Sequence, residues 1–377
     1  MRGLIRKLPP FAPDYSGVNG VLGNMGGISL IGGADGCIGN VTGYDDPRFF
    51  EGNKIFSSGL RNIRAITGDE GVMKEKIDDL KLEEDIPFIL VLSTPTSAVI
   101  ASDYKGLGKI ISKEKEIPVI TVSTTGMESY EVGIEKGLYE LGKKFIKPFE
   151  GDREGVNIIG CTPLDYWGEH QIENIRCAIE KNGNKINSFW SVKGGINEIE
   201  KTLKGAVNLV VSTGGVKIAK YLEKEYGIPY VVDVPVGEIH SEILASVLSS
   251  EKLTRSYLDK GEKKSQKVLI IGEQVWANGF RKYMKYEHGF EKVKVASYFK
   301  MLTEYMLEGD VKMDTEKELE QLIREYEPDI VVGDPFYKSF LNTSKDVEFL
   351  EVPHLAVSSR LYWNHKINYV GEKIEVI

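Results

Sequence analysis

Short, continuously apolar runs, each followed by a stretch of helical periodicity, recur along the chain, and this alternation constrains the fold more than any other feature. From residue 151 the order is VNIIG, a helix over Gln171–Lys181, KINSFWSV, a helix over Ile196–Lys204, VNLVVS, a helix over Val216–Lys224, and IPYVVDV. From residue 267 it recurs as KVLIIG, a helix near Ala277–Tyr286, VKVASYF, a charged helix over Glu316–Tyr326, DIVVGD and a last strand around Val347–Leu350. Strands apolar on both faces and spaced by amphipathic helices predict a parallel sheet covered on each side. The right-handed crossover rule then leaves little beyond Rossmann-like units. The N-terminal part follows with strands at GISLIGG, PFILVLS and IPVITVS, and helices over Glu70–Leu80, Val99–Lys113 and Ser129–Lys144. Its first stretch, PPFAPDYSGVNGVLGNMGG, reads as a glycine-heavy loop. The expectation is an α/β protein of three Rossmann-like domains, each a parallel sheet flanked by helices, over residues 1–150, 151–258 and 259–377. The boundaries fall at PFEGDR and at the charged run Asp259–Lys267, DKGEKKSQK, which reads as a solvated linker.

A length of 377 residues suits two or three domains rather than one core. The net charge of −8 comes with no basic stripe, so a phosphate backbone is repelled and nucleic acid is not an expected partner. Apolar runs such as IPFILVL are of strand length and far short of a membrane span. The start MRGLIRKLPPF shows no apolar core of a signal peptide, and three unevenly spaced cysteines make no disulfide framework. A reducing cytoplasm is the expected location.

The chemistry-bearing residues are few. GGADGCIGN sets Cys37 among Gly36, Gly39 and Asp35, in what reads as a glycine-rich loop after a strand. Such a thiol is either a small buried apolar group in a tight turn or a ligand, and the local residues allow both. Cys161, ending a strand, and Cys177, in the helix IENIRCAIE, read as core. Five histidines offer no pair at the spacing of a helical metal site. VPHLAVSSRLYWNHKINYVG gathers His354, Arg360 and His365 among aromatics near the chain end. That mixture suits a cavity for a flat or anionic small molecule with a histidine as proton donor, and equally the packing of a last strand and its exit loop. STGGVK and GEQVWANG open helices after strands; neither is a phosphate-binding motif, and tight turns account for their glycines.

Taken in order, GADGC, FSSGLRNIRAITGDEGVMKEKI, LSTPTSAVIASD and IPVITVSTTGM resemble the nitrogenase component 1 family. The matching stretches are Ala34–Cys37, Thr67–Lys76 and Ser93–Asp103, with NLVVSTGGVKIAKYLEKEYGIPYVVDVPVG and PDIVVGDPFYKSF similar to the later domains. The resemblance implies an iron–sulfur cluster, 4Fe–4S in kind and shared between subunits, held through Cys37 with Asp35 and Gly36 beside it. It implies further a cavity where the three domains meet, lined by the His354, Arg360 and His365 stretch. It also implies an ATP-driven two-component reductase, in which ATP belongs to a separate iron protein similar to nitrogenase reductase.

The departures from the pattern are specific. Catalytic-type subunits offer three cluster cysteines, and only the middle one is present here. Pro13–Ser16 occupy the first position, Pro95 the third, and Ser212 stands where the molybdenum–iron protein carries its cofactor cysteine. The chain is similar to the one-ligand B-type subunit of dark-operative protochlorophyllide reductase, with a thiolate in place of that subunit's aspartate. One thiolate cannot complete a four-ligand cube, so a second copy or a three-cysteine sister subunit is implied. Alternatives are a non-catalytic scaffold for a metallocluster or tetrapyrrole, or a small-molecule binding protein on the same fold.

Overall fold

A computed structural model describes residues 6–22, 25–46, 54–61, 63–80, 86–166, 169–190, 194–249, 263–341, 346–365 and 367–374. Three parallel sheets carry the chain. The first contains β1 (Ile28–Gly32), β2 (Ile55–Ser57), β3 (Ile89–Ser93) and β4 (Val119–Val122) in the order β2-β1-β3-β4. The second contains β5 (Val156–Ile159), β6 (Ile186–Phe189), β7 (Val207–Val210) and β8 (Tyr230–Val232) in the order β6-β5-β7-β8. The third contains β9 (Lys264–Ile271), β10 (Phe290–Ser297), β11 (Val311–Lys312), β12 (Ile330–Gly333) and β13 (Glu348–Glu351) in the order β11-β10-β9-β12-β13. β1 pairs with β3 from Ile28↔Ile89 to Gly32↔Ser93, and β9 with β12 from Val268↔Ile330 to Ile271↔Gly333. β1, β3, β5 and β12 are buried at every position, as in β3, where ILVLS leaves no residue exposed. That is the burial expected of a sheet covered on both faces.

Fourteen α-helices lie among the described residues. With the first sheet go α1 (Asp14–Leu22), α2 (Asp35–Asn40), α3 (Arg64–Thr67), α4 (Glu70–Asp79), α5 (Pro95–Val99), α6 (Tyr104–Lys115) and α7 (Tyr130–Phe145). The second sheet is accompanied by α8 (Glu169–Lys181), α9 (Gly195–Glu200), α10 (Val216–Tyr226) and α11 (Glu238–Leu248). The third has α12 (Gln274–His288), α13 (Glu316–Tyr326) and the short α14 (Leu355–Ser358). α13 matches its expected span because its signals are local: Thr315 and Glu318 form a capping box, and apolar residues repeat at helical spacing.

The structure corrects the sequence reading at several points. The glycine-heavy stretch expected to be loop contains the helix α1, whose glycines serve a crossing rather than a turn. A Cβ on Gly17 would collide with the Tyr130 carbonyl oxygen, and one on Gly133 with that of Asp14. The two helices therefore touch backbone to backbone, which only glycine permits. The helix expected over Val99–Lys113 is two helices: Ala101 adopts φ 56°, and Asp103 restarts the chain by accepting from Gly106 N–H at 2.8 Å. In the run expected to be a linker, Lys264–Lys267 belong to β9, while residues 259–262 lie outside the described residues. Cys177 is exposed, not core. Ile175, Ala178 and Ile179 form the buried stripe of α8, and at about 100° per residue Cys177 falls on the opposite side.

Two outcomes follow from this packing. Gly133→Ala is expected to lower unfolding stability by about 3 kcal/mol, because the overlap is with backbone and no rotamer relieves it; urea unfolding measures it. In the native protein a thiol reagent is expected to modify Cys177 quickly and Cys161 only after unfolding, since Cys161 is 2% exposed and its thiol is pushed up by burial. Mass mapping of the labelled peptides distinguishes the two.

Candidate functional site

In an open parallel sheet, ligands favour the crevice beyond the carboxyl ends of two strands whose connections run in opposite directions. Here those strand pairs are β1/β3, β5/β7 and β9/β12. Of the residues singled out from the sequence, Cys37 and His354 lie beside these crevices.

The first crevice holds Cys37. It lies in the first turn of α2, directly beyond β1, and is half-buried, its N–H donating to Ala34 O at 3.0 Å. β1 and β3 are stapled below it: the Thr94 and Ser97 hydroxyls both donate to Gly32 O, at 2.9 and 2.7 Å. Gly33 has φ 153° and faces Thr94 so closely that a side chain would collide. Asp35 accepts from Ser57 Oγ at 2.8 Å and from Arg61 Nη2 at 2.8 Å, and these bonds hold its carboxyl below the usual range. Beneath the thiol lie Tyr15 and the buried Asp45, which accepts from Ser16 Oγ at 2.7 Å and Asn40 Nδ2 at 3.1 Å. Burial pushes the Asp45 carboxyl up to about 6.

Gly36, Gly39 and Gly43 are informative. A Cβ on any of them would meet no atom within 4 Å, and none has a positive φ. Neither backbone conformation nor packing within the chain requires glycine there. Exposed apolar side chains also follow each strand of this sheet. Tyr44 follows β1, Ile63 and Ile66 follow β2, Val99 follows β3 and Met127 follows β4, with exposures of 53–84%. Leu361 is exposed likewise, next to Arg360, whose guanidinium lies 5.5 Å from the Tyr44 ring centre. Apolar side chains gathered at one sheet edge mark an interaction surface.

Among the described residues no three His, Cys, Asp or Glu side chains are placed to hold a metal. The described residues of one chain therefore do not by themselves supply the ligands of a 4Fe–4S cluster. One half-buried thiol with open glycine faces beside it does fit a cluster completed from another subunit.

The crevices of the second and third sheets converge on one small cavity. It is lined by Asp165, Ile271, Gly272, Glu273, Trp276, Asp334, Val352, Pro353 and His354. Its volume of about 10 Å³ is room for a single water. Tyr130, at the start of α7, donates to Asp165 at 2.5 Å, and His354 Nε2 lies 3.3 Å from the Tyr130 hydroxyl and 3.5 Å from Asp165. Glu273 accepts from Thr213 N–H at 2.8 Å and Trp276 N–H at 2.9 Å, tying the second sheet to the third. Asp334 accepts from His354 N–H at 2.9 Å and Phe336 N–H at 3.0 Å. Burial, then the Asp165 charge, raises the Glu273 carboxyl well above the usual glutamate range, and burial raises Asp334 also. The arrangement can hold and pass protons among carboxyls, a phenol and an imidazole.

Of the residues named from the sequence, His354 enters this cavity. Arg360 and His365 are exposed and do not line it; Arg360 lies against Tyr44 and Trp363, on the Cys37 side. Sequence reasoning missed Asp165, Glu273 and Asp334. A signal existed for two of them, since an acidic residue directly follows the glycine that closes the strand in LIIGE and IVVGD.

The neutral form of Glu273 is favoured in the folded state, so the sign of its pH effect is fixed. Its contribution is fully present below the ordinary glutamate pKa and is lost as pH rises through the elevated folded value. Between about pH 5 and 8 the urea midpoint of the wild type is expected to fall more steeply than that of Glu273→Gln.

Residues 14–357 match the family described as Nitrogenase component 1 type Oxidoreductase. The B-type subunit of light-independent protochlorophyllide reductase from Chlorokybus atmophyticus is 22% identical over 310 residues, 71% of this chain and 61% of that relative. The same protein of Pinus koraiensis is 26% identical over 216 residues, 50% of this chain and 42% of that relative. The nitrogenase iron-molybdenum cofactor biosynthesis protein NifE of Methanosarcina barkeri is 24% identical over 235 residues, 58% of this chain and 50% of that relative. The chain thus spans about three fifths or less of the length of these relatives. A solved structure of nitrogenase Cp1 at pH 6.5 superposes with a TM-score of 0.72 at 16% identity, covering 98% of this chain and 92% of that one, which shows a common fold. With a match that runs through all three sheets, the chain belongs to the nitrogenase component 1 type oxidoreductase family.

Proposed function

We propose that the chain is a subunit of the catalytic component of an ATP-driven two-component reductase in the cytoplasm. It receives electrons from a separate iron protein through a 4Fe–4S cluster shared between subunits. The observation that carries this reading is the half-buried Cys37, set among glycines that the fold does not need, on a sheet whose strands are each followed by exposed apolar side chains. Family membership and similarity to the B-type subunit of protochlorophyllide reductase support it. The reading takes three domains, over 1–150, 151–258 and 259–377, with the cluster edge on the first and the proton-holding cavity between the other two.

In this reading Cys37 contributes one thiolate, and a second copy of the chain or a three-cysteine sister subunit contributes the rest. Bound there, the cluster supplies one-electron transfer at low potential. Gly36 lets a partner approach the backbone closely, while Asp35 stays in its ion pair with Arg61 and fixes the start of α2. His354 acts as proton donor to a small-molecule substrate, with Asp165 and Tyr130 holding its ring and Glu273 and Asp334 as further carriers. Arg360 and His365, on the exposed exit segment, act at the rim facing the Cys37 surface rather than in the cavity.

Room for about one water in the cavity favours a second reading, a non-catalytic subunit or scaffold that needs the partner-facing edge but no substrate chamber. Substrate-dependent ATP hydrolysis with the reconstituted iron protein separates the two. The cluster itself is tested by anaerobic purification with the partner subunit, followed by iron analysis and visible absorbance. Cys37→Ala is expected to lose most of the iron while keeping the fold, and equal iron in both proteins removes the proposal.

A further inference from the structure

A groove of about 350 Å³ opens between the edge of the second sheet and the third domain, sharing no residue with the cavity above. Its wall is Arg281, Lys282 and Lys285 of α12, with Tyr286, Tyr305 and Phe290 as aromatic surface. Its volume lies in the range of small-ligand sites, roughly 300–1,000 Å³. Arg281 is the unusual feature. It is 7% exposed, yet its Nε and Nη1 donors have no acceptor among the described residues. A buried guanidinium with unused donors is costly and calls for an explanation.

The neighbouring carboxylates do not provide one, because each is already committed. Asp310 accepts from Arg281 Nη2 at 2.5 Å, Val295 N–H at 3.0 Å and Leu307 N–H at 2.8 Å. Asp233 is held by His240 at 3.1 Å and by Lys282. Glu291 is paired with Lys263 at 2.8 Å. Counting Arg281, Lys282, Lys285 and Lys263 against Asp310, Asp233 and Glu291 leaves one cation in excess, and Lys285 stands exposed at the mouth.

We infer that this groove binds a small organic anion, its oxyanion facing Arg281 and Lys285 and its flat or apolar body lying against Tyr286, Tyr305 and Phe290. Guanidinium donors suit a carboxylate or phosphate, which is the shared chemistry, and the aromatic wall separates an organic ligand from a bare ion. The site is independent of the cluster proposal.

Calorimetry on the full chain tests it with phenyl phosphate, inorganic phosphate and benzyl alcohol as probes. Phenyl phosphate is expected to bind saturably, one per chain, about tenfold tighter than either of the others. Arg281→Met is expected to weaken it about tenfold, and Lys285→Glu, an exposed change that keeps the fold, about fivefold. Cys37→Ala is expected to bind as the wild type does. Absence of saturable binding overturns the inference, as does equal affinity for phenyl phosphate and inorganic phosphate, which marks an adventitious ion only. Wild-type affinity in Lys285→Glu, or loss of binding in Cys37→Ala, overturns it as well.

Discussion

Helix α7 is the member on which the three sheets depend. Its first residue, Tyr130, is fully buried, and burying a phenol is tolerable only when its hydroxyl has a partner. Asp165, from the loop after β5, is that partner, with His354 from the loop after β13 beside it. The next residue, Glu131, accepts from Lys300 N–H, and one turn on Glu135 binds Lys300 Nζ at 2.5 Å and Lys217 Nζ at 3.5 Å. The same helix presents Gly133 to α1 and Gly142 to Ile218 and Trp190. Contacts to elements of all three sheets thus radiate from sixteen residues, and the buried hydrogen bonds among them fix where the carboxyl edges of the sheets meet.

That meeting place is acidic and nearly dry. Asp165, Glu273, Asp334 and Glu131 are all buried, and the hydrogen bonds they accept come mainly from backbone N–H groups or hydroxyls rather than from basic side chains. Burial raises the Glu273, Asp334 and Glu131 carboxyls and so favours their proton-bearing form. Asp233 shows the opposite outcome under similar burial. Burial opposes its ionisation, but His240 and Lys282 outweigh that and bring its carboxyl down to about 2. The difference is one of neighbours, not depth. It separates carboxyls suited to carrying protons from one committed to an ion-pair network.

The Cys37 edge is built on a different principle. Its polar groups are internally paired, as in Asp35 with Ser57 and Arg61, so the surface it offers is apolar side chain, open glycine and thiol. Such a surface is suited to close approach by another protein. Exposed Arg360 and Tyr44 bring the C-terminal segment to the same edge, which links two regions far apart in the chain.

The sequence by itself determined the α/β class, the parallel strands and most helix positions, because apolar period and capping residues act over a few neighbours, as at Thr315–Glu318. It also made Cys37 visible, by setting a thiol among glycines directly after a strand. It did not disclose α1, since Gly17 and Gly133 act across a crossing of helices more than a hundred residues apart in the chain, and locally such glycines read as loop. Nor did it disclose the carboxyl cluster. Asp165, Glu273 and Asp334 each follow an ordinary strand, and only the packing of three sheets around α7 places them within reach of one histidine. The fate of the other cysteines was decided the same way: helical phase turned Cys177 to solvent, while the strand end kept Cys161 inside. Local period sets which elements form, but desolvation depends on what folds against them, and that is a property of the tertiary structure alone.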